Sequence, residues 1–380
     1  MSRIHKINFF LACIILAIDS LNGFFLFKGI NLPISQVFKL LFTATMIIGL
    51  IKLSYHKFVI WFVLFVLFVS IFNLVNNPIF FFESLVLSQK FLFTILTYFY
   101  FTEYFKNSNS LNYNYVFVSS FLVVLLNILI SILGIGKFAY VGDVGFTGFF
   151  FAPNEISFLV LIILSYLLFQ VKSMKSKYLS VIFVLCLIIS FMLAMKLVII
   201  GVSFVGVFIF FSGKFNVKKI IIGSLFVLIF VFILFKFSYL LEPLINMIEY
   251  RYNSSTSLLN FLLSNRDVYL NRIYDVFINS SAFNLLFGLD QNLTIEMDLF
   301  DVLFNFGLFG FLIIYLFYSY VIISSTKKYS DKEYNFFLFI NLLIVMSSLF
   351  VGHFVFSAMG GFFFAYFNSK PQKKHFKHSS

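Results

Sequence analysis

Charge is scarce in this chain. Only 11% of its 380 residues are Asp, Glu, Lys or Arg, against about a quarter in a soluble domain. Set beside a hydrophobic content of 61%, that shortage excludes a soluble globular enzyme. The same hydrophobicity excludes intrinsic disorder. Cysteine is nearly missing. Cys13 and Cys186 both sit in apolar runs, so neither a disulfide framework nor a zinc cluster follows. Strict apolar–polar alternation is missing too, which excludes a membrane β-barrel. There is no Walker loop, no GxGxxG, no HExxH and no polar domain to hold a nucleotide. Any driving energy must therefore come from the substrate or from an ion gradient. No internal repeat of clear period is visible, which argues against transporter folds built from duplicated halves.

What is present is a series of continuous apolar stretches. A helical span needs about 20 apolar residues. Candidate spans fall at 8–27, 33–51, 58–76, 79–101, 115–134, 153–170, 178–194, 197–212, 220–239, 298–324, 335–350 and 353–368. The expectation is an all-α polytopic membrane protein of about 12 helices in one integral domain, 1–380. The first helix is preceded by Met1–Lys6 and lacks a small-residue cleavage site, so it reads as an uncleaved helix. The 62 Phe read as a codon bias toward AT rather than as an aromatic platform. Net charge is +12, and basic residues retained on the cytoplasmic side account for it better than nucleic-acid binding. With both termini cytoplasmic, the inside segments hold Arg3, Lys6, Lys52, Lys57, Lys106, the lysines at 172–177, 214–219 and 327–332, and Lys370, Lys373, Lys374 and Lys377. The outside holds Lys28, Lys137, Lys196, Lys236, Arg251, Arg266 and Arg272. The tail, 369–380, reads as a basic cytoplasmic anchor against anionic lipid. Asp19, Lys39, Glu83 and Lys90 fall within spans, where charge is functional by default. Asp19 could line a cavity, and no partner can be assigned to it.

Two outside loops are long, at 135–152 and 240–297, and long loops point to function or disorder. In the second, RIYDVF and NLLFGL suggest short amphipathic helices at the membrane surface. That loop contains every Arg except Arg3. Arginine offers a planar fork that grips phosphate through two bonds, so Arg266, Arg272 and Arg251 are candidate phosphate ligands. The structural alternatives are local pairs, Arg266 with Asp267, Arg272 with Asp275 at i+3, and Arg251 with Glu249. Lys196, at the tight turn between two spans, could meet a lipid-linked phosphate or snorkel to the surface.

IEMDLFDVLFNFGLFG packs Glu296, Asp298 and Asp301 into six residues. A helix N-cap and a favourable dipole explain Asp298 and Asp301. They explain Glu296 less well. A carboxylate at a membrane interface is a candidate general base, and Glu296 or Asp298 could serve. GFTGFFFAPNEIS closes the first long loop. Pro153 suits the first helical position and Glu155 the first turn, while Gly145 and Gly148 suggest close backbone approach. His353, in VGHFVFS, reads as a core histidine or as part of a substrate loop.

Taken in order, these segments resemble the O-antigen polymerase/ligase family, the Wzy-like and WaaL-like membrane glycosyltransferases. The family pattern has a Gly- and Phe-rich loop ending in PN, matched by GFTGFFFAPN with Gly148, Pro153 and Asn154. A Thr-Lys or Ser-Arg at a turn two spans later is matched in part by Met195-Lys196. A Ser-x-Arg element is matched by Ser264-Asn265-Arg266, and LLFGLD around Gly288 stands where the family has a Gly-x-Gly-like segment. A polar residue leading into Gly-Leu-x-Gly is matched by IEMDLFDVLFNFGLFG, and a late Gly-His by Gly352-His353. The likeness covers about 140–360, through motifs that are each short. Ligases carry His eleven residues before the first Gly of the last large motif. Here that position is Glu296, which brings the chain closer to O-unit and capsule polymerases. The usual Arg before the Gly-Phe loop is absent, with Asp143 and Val144 in its place.

The resemblance implies a GT-C-like, membrane-embedded glycosyltransferase in the bacterial cytoplasmic membrane, acting without metal, nucleotide or other cofactor. Donor and acceptor would both be oligosaccharides on undecaprenyl diphosphate, joined on the outer face. Arg266, Arg272, Lys196 and Arg251 would bind diphosphate, and Glu296 or Asp298 would take the acceptor proton. Membrane lipid and a chain-length regulator are the further partners such an enzyme would meet. The alternatives are an O-antigen ligase, a peptidoglycan-type glycan polymerase, a lipid-linked oligosaccharide flippase, and a structural partner in polysaccharide export. A flippase would show related halves and a charged central cavity.

Overall fold

Apolar runs uninterrupted by proline or paired charge form helices because a helix satisfies its own backbone hydrogen bonds, as hydrocarbon requires. The structure is a computed structural model, described for residues 3–53, 56–75, 81–106, 110–140, 144–150, 152–171, 176–211, 242–289, 295–327, 331–352 and 354–370. In chain order the elements are α1 (Arg3–Phe27), α2 (Ile34–Lys52), α3 (His56–Val75), α4 (Phe81–Lys106), α5 (Ser110–Ile132), β1 (Lys137–Tyr140), β2 (Val144–Gly148), α6 (Pro153–Val171), α7 (Ser176–Leu193) and α8 (Lys196–Phe211). Then come α9 (Glu242–Ser254), α10 (Leu258–Leu263), α11 (Arg266–Ile278), α12 (Ala282–Phe287), α13 (Asp298–Thr326), α14 (Asp331–Val351) and α15 (Ala358–Asn368).

Eleven of the twelve expected spans coincide with helices, and the segment at 220–239 lies outside the described residues. Among the described residues, five helices contain a stretch long and apolar enough to cross a membrane: Arg3–Phe27, Ile34–Lys52, Tyr113–Ile132, Asn154–Val171 and Asp298–Thr326. Shorter apolar stretches occur at Lys57–Phe72, Tyr178–Leu193, Lys196–Phe210 and Glu333–Leu349. The bundle's outer surface is apolar. Phe10, Leu41, Ile51, Leu133 and Leu316 are 60–71% exposed, a greasy exterior that water would not tolerate over such an area. The chain is a helical membrane protein.

The last expected span, 353–368, needs correcting. Its helix runs only from Ala358 to Asn368, about 16 Å at 1.5 Å per residue, roughly half a hydrocarbon core. All eleven residues of α15 are buried, as befits a helix that is apolar all round. It fills the centre of the bundle between α4, α6 and α13. Near its end Asn368 and Asn341 exchange amide hydrogen bonds of 2.8 and 2.9 Å, and the Ser325 hydroxyl donates to the same Asn368 oxygen. Lys370, at the start of the basic tail, is held by protein groups. Its ammonium lies 3.3 Å from Glu333 and about 5 Å from the rings of Phe169 and Phe337. Residues 371–380 of the expected anchor lie outside the described set.

Asp19 has a partner rather than a cavity. Lys39 of α2 stands 3.0 Å away, and the Ser35 hydroxyl donates to the same carboxylate at 2.7 Å. Opposite charges at similar depth on consecutive helices neutralise each other, which is how a membrane interior tolerates them. The side chain of Glu83 lies outside the described residues.

At the hairpin-bearing end of the bundle, the first long loop is an antiparallel β1–β2 hairpin packed on α5 and α7, a small departure from an all-helical chain. The second long loop carries four short helices in its described part, α9–α12, joined by tight turns. These helices reach the bundle through a small separate core of Phe277, Leu289, Ile295, Met297 and Phe304. Their seat depends on a break in α13. Gly307 (φ 62°, ψ −169°) interrupts the helix. A side chain there would collide with the backbone of Leu286 and Phe287, and one at Gly288 (φ 104°) with the backbone of Asn305 and Phe306. The freed Phe304 carbonyl accepts from the Leu289 N–H at 2.7 Å. Two glycines thus let α12 and α13 touch backbone to backbone.

Gly307→Ala is expected to lower stability by about 3 kcal/mol or more, since strain and overlap coincide. Gly29→Ala should cost only about 1 kcal/mol, because Gly29 has φ 76° but open space around it. Thermal unfolding of the detergent-purified protein distinguishes the two. Equal losses would show that the α12–α13 contact is not tight.

Candidate functional site

The first turn of α13 organises this end of the molecule. Asp298 and Asp301 are 0% and 1% exposed, and a buried carboxylate needs donors. Asp301 finds them in its own chain. Its two oxygens accept from the backbone N–H groups of Ile295 (2.6 Å) and Met297 (3.0 Å). Asp298 reaches across the bundle, where one oxygen accepts from the N–H groups of Phe354 (2.8 Å) and Val355 (3.1 Å). Those N–H groups belong to the non-helical 354–357 stretch before α15, which could not sit in an apolar setting unsatisfied. Asp298 is not the helix cap that its sequence position suggested. The cap residue is Met297, which makes no side-chain cap bond.

Glu296 sits between the two residues that Asp301 holds. Its φ is 65°, a left-handed conformation that non-glycine residues rarely adopt. Gly352 backs it from the other side, where any Cβ would overlap the Glu296 backbone. Backbone movement at Glu296 is therefore blocked on two sides, and its side chain projects to the polar layer, 44% exposed. There Arg266 Nη2 lies 2.6 Å from Glu296 Oε2, and Asn154 Nδ2 donates to the same oxygen at 3.3 Å.

Arg266 is the first residue of α11, directly after Ser264 and Asn265, both left-handed (φ 54° and 66°). That tight corner turns α11 back on α10. Leu270, Ile273 and Phe277 follow Arg266 at helical spacing and pack into the small core, so the helix aims Arg266 inward. Its side chain is 15% exposed. Asp267 accepts from Asn260 at 3.0 Å, while Arg266 reaches Glu296. Lys196, the first residue of α8, holds its ammonium 5.2 Å from the Phe261 ring on α10.

Asn154 and Pro153 open α6, as their spacing predicts. The residues before them are stitched to α5: Gly148 (φ 66°) donates to the Ser131 hydroxyl at 2.6 Å, and Phe149 to Asn127 Oδ1 at 2.8 Å. Glu155 accepts from the Ser357 hydroxyl at 3.0 Å, tying α6 to the start of α15.

The structure thus gathers Arg266, Glu296, Asn154 and the backbone of Gly352, with Lys196 held on the neighbouring α10. It does not gather Arg272. That residue is exposed and makes no ion pair among the described residues, so the expected i+3 pair with Asp275 is not formed. Arg251 lies on α9, with its side chain outside the described set, as is His353. Sequence reasoning missed Asp301 as the brace of Glu296. A side chain accepting from residues four and six places earlier leaves no spacing distinct from an ordinary helix start. No group of three His, Cys, Asp or Glu able to hold a metal is present among the described residues.

Below this layer, Phe65, Phe68, Ser88, Phe91, Phe306, Ile314, Val355 and Phe356 line a small crevice with a free volume of about 10 Å³, room for about one water molecule. It lies between α3, α4 and α13, beside the Val355 that Asp298 holds.

Magnitudes separate the acids by role. A partly exposed ion pair contributes about 0–1 kcal/mol, whereas a buried carboxylate accepting two backbone N–H groups contributes several times that. Asp301→Ala is therefore expected to lower stability by about 3 kcal/mol or more, and Glu296→Gln to change it by less than about 1 kcal/mol. Denaturation midpoints of the purified variants test this. The assignment of Asp301 to scaffolding fails if its loss is as mild as that of Glu296.

Comparison of the chain with protein-family models, with curated proteins and with solved structures gives no match.

Proposed function

We propose that the protein is a polysaccharide polymerase of the bacterial cytoplasmic membrane. It would transfer an oligosaccharide from undecaprenyl diphosphate to the terminal sugar of a second lipid-linked unit. The observation that carries this reading is the meeting of Arg266, Glu296 and Asn154. The pairs are separated in sequence by 30 and 142 residues, and each lies in a segment that resembles a motif of the O-antigen polymerase/ligase family. Convergence of separate motifs on one spot is what a catalytic assembly requires, and shared ancestry of helix patterns alone would not demand it.

The chemistry divides among these groups. The acceptor hydroxyl oxygen attacks the anomeric carbon of the donor sugar, and its proton passes to the Glu296 carboxylate. The bond from that carbon to the diphosphate oxygen breaks, with its electron pair leaving on undecaprenyl diphosphate. Arg266 stabilises the charge that develops there, with Lys196 as the next cation in the layer. Asn154 orients the carboxylate. Of the two acids nominated as base, Glu296 is favoured, because Asp298 is buried and spends an oxygen on two backbone N–H groups. A cytoplasmic N-terminus followed by the nine expected crossings that precede α9 would put this assembly on the outer face.

In a strain lacking the gene, complementation with Arg266→Ala or Glu296→Gln should abolish the polysaccharide ladder and leave single repeat units. The turnover loss should be about 10²-fold or more. Gel analysis of extracted polysaccharide reads the outcome. A normal ladder from both variants would sink the assignment. Long chains stranded on the lipid carrier would indicate a ligase, and single units trapped on the cytoplasmic face a flippase.

A further inference from the structure

Resting on the reading above, we propose that the Arg266–Glu296 pair is a latch opened by the donor's diphosphate, so that the base becomes available only once a donor is bound. The two groups assigned to opposite ends of the reaction are in contact with each other. Arg266 Nη2 lies 2.6 Å from Glu296 Oε2, the same guanidinium that would receive the leaving group. One oxygen of that carboxylate, Oε2, is occupied by both Arg266 and Asn154, so the side chain is held on the guanidinium side. A diphosphate carries more negative charge and more acceptor oxygens than one carboxylate, so it outcompetes Glu296 for the guanidinium. Its charge then also repels Glu296 from that position.

The two partners differ in freedom. Glu296 is braced at the backbone by the Asp301 bonds to residues 295 and 297 and by the abutting Gly352. Its release is therefore a side-chain rotation on a fixed base, not a loop movement. Asn154 Nδ2, 3.3 Å from the same oxygen, remains as the donor that keeps the freed carboxylate near the acceptor position. Partial exposure of Glu296 keeps the pair weak enough to displace. The consequence is an order of events: donor binding first, acceptor deprotonation second.

Removing the carboxylate should therefore have opposite effects on binding and on turnover. The experiment titrates undecaprenyl diphosphate into the purified full-length protein in detergent, with each variant checked for a monodisperse elution profile. Glu296→Gln should bind the lipid about two- to fivefold more tightly than wild type, while its polymerising activity falls. Arg266→Ala should lose most of the binding. Glu296→Asp, one methylene shorter, should tighten binding in the same direction, and it keeps the test open if the Gln variant does not fold. Unchanged or weaker binding by both Glu296 variants, with Arg266→Ala still defective, would overturn the latch and leave the polymerase reading standing. Failure of the wild-type protein to bind undecaprenyl diphosphate at all would overturn both.

Discussion

Four backbone N–H groups donated to two buried carboxylates hold the polar end of this protein together. Asp298 and Asp301 lie one helical turn apart at the start of α13. One reaches across to the irregular stretch before α15, and the other reaches back to the residues around Glu296. A buried carboxylate without donors would be costly enough to unfold its surroundings, so these positions must be served once they are buried. Serving them fixes three things together: where α15 begins, where the chain enters α13, and the left-handed conformation of Glu296. Strain of that kind persists only where surrounding contacts over-determine it.

The second constraint is steric. Gly288 and Gly307 allow α12 to lie against a broken α13 with no side chain between them. The break separates a short helical piece, which belongs to the polar layer, from the longer piece that runs through the bundle. Without it, α9–α12 would have no seat, and Arg266 would not be carried to Glu296. A glycine pair, a carboxylate pair and a short buried helix therefore act as one mechanical unit. On the opposite side of α13 the same unit faces an apolar cleft lined by aromatic rings.

Much of this was legible before any coordinates. Length, hydropathy and the rarity of charge imply a helical membrane protein, because continuous apolar runs have few other ways to satisfy their backbone. Eleven of the twelve expected segments are helices, and the clustering of arginine in one loop marked the layer that carries Arg266. Pro153 announced the start of α6 through its missing N–H and fixed φ. Asp19 and Lys39 stood out in the sequence as charges within spans, but their pairing was shown only by the fold.

Other features belong to the tertiary structure alone. Which acid faces outward is decided by burial: Asp298 and Asp301 have the same chemistry as Glu296 but are consumed by backbone donors. That Arg266 and not Arg272 reaches the site depends on which face of α11 packs on the small core. That α15 is half a span follows from the closure of the bundle around it, since an apolar run looks the same whether it meets lipid or protein. Sequence determined the material of each helix, because hydrophobicity and turn chemistry act locally. The contacts between distant segments were decided by folding, because a hydrogen bond across 56 residues, such as Asp298 to Phe354, leaves no periodic trace along the chain.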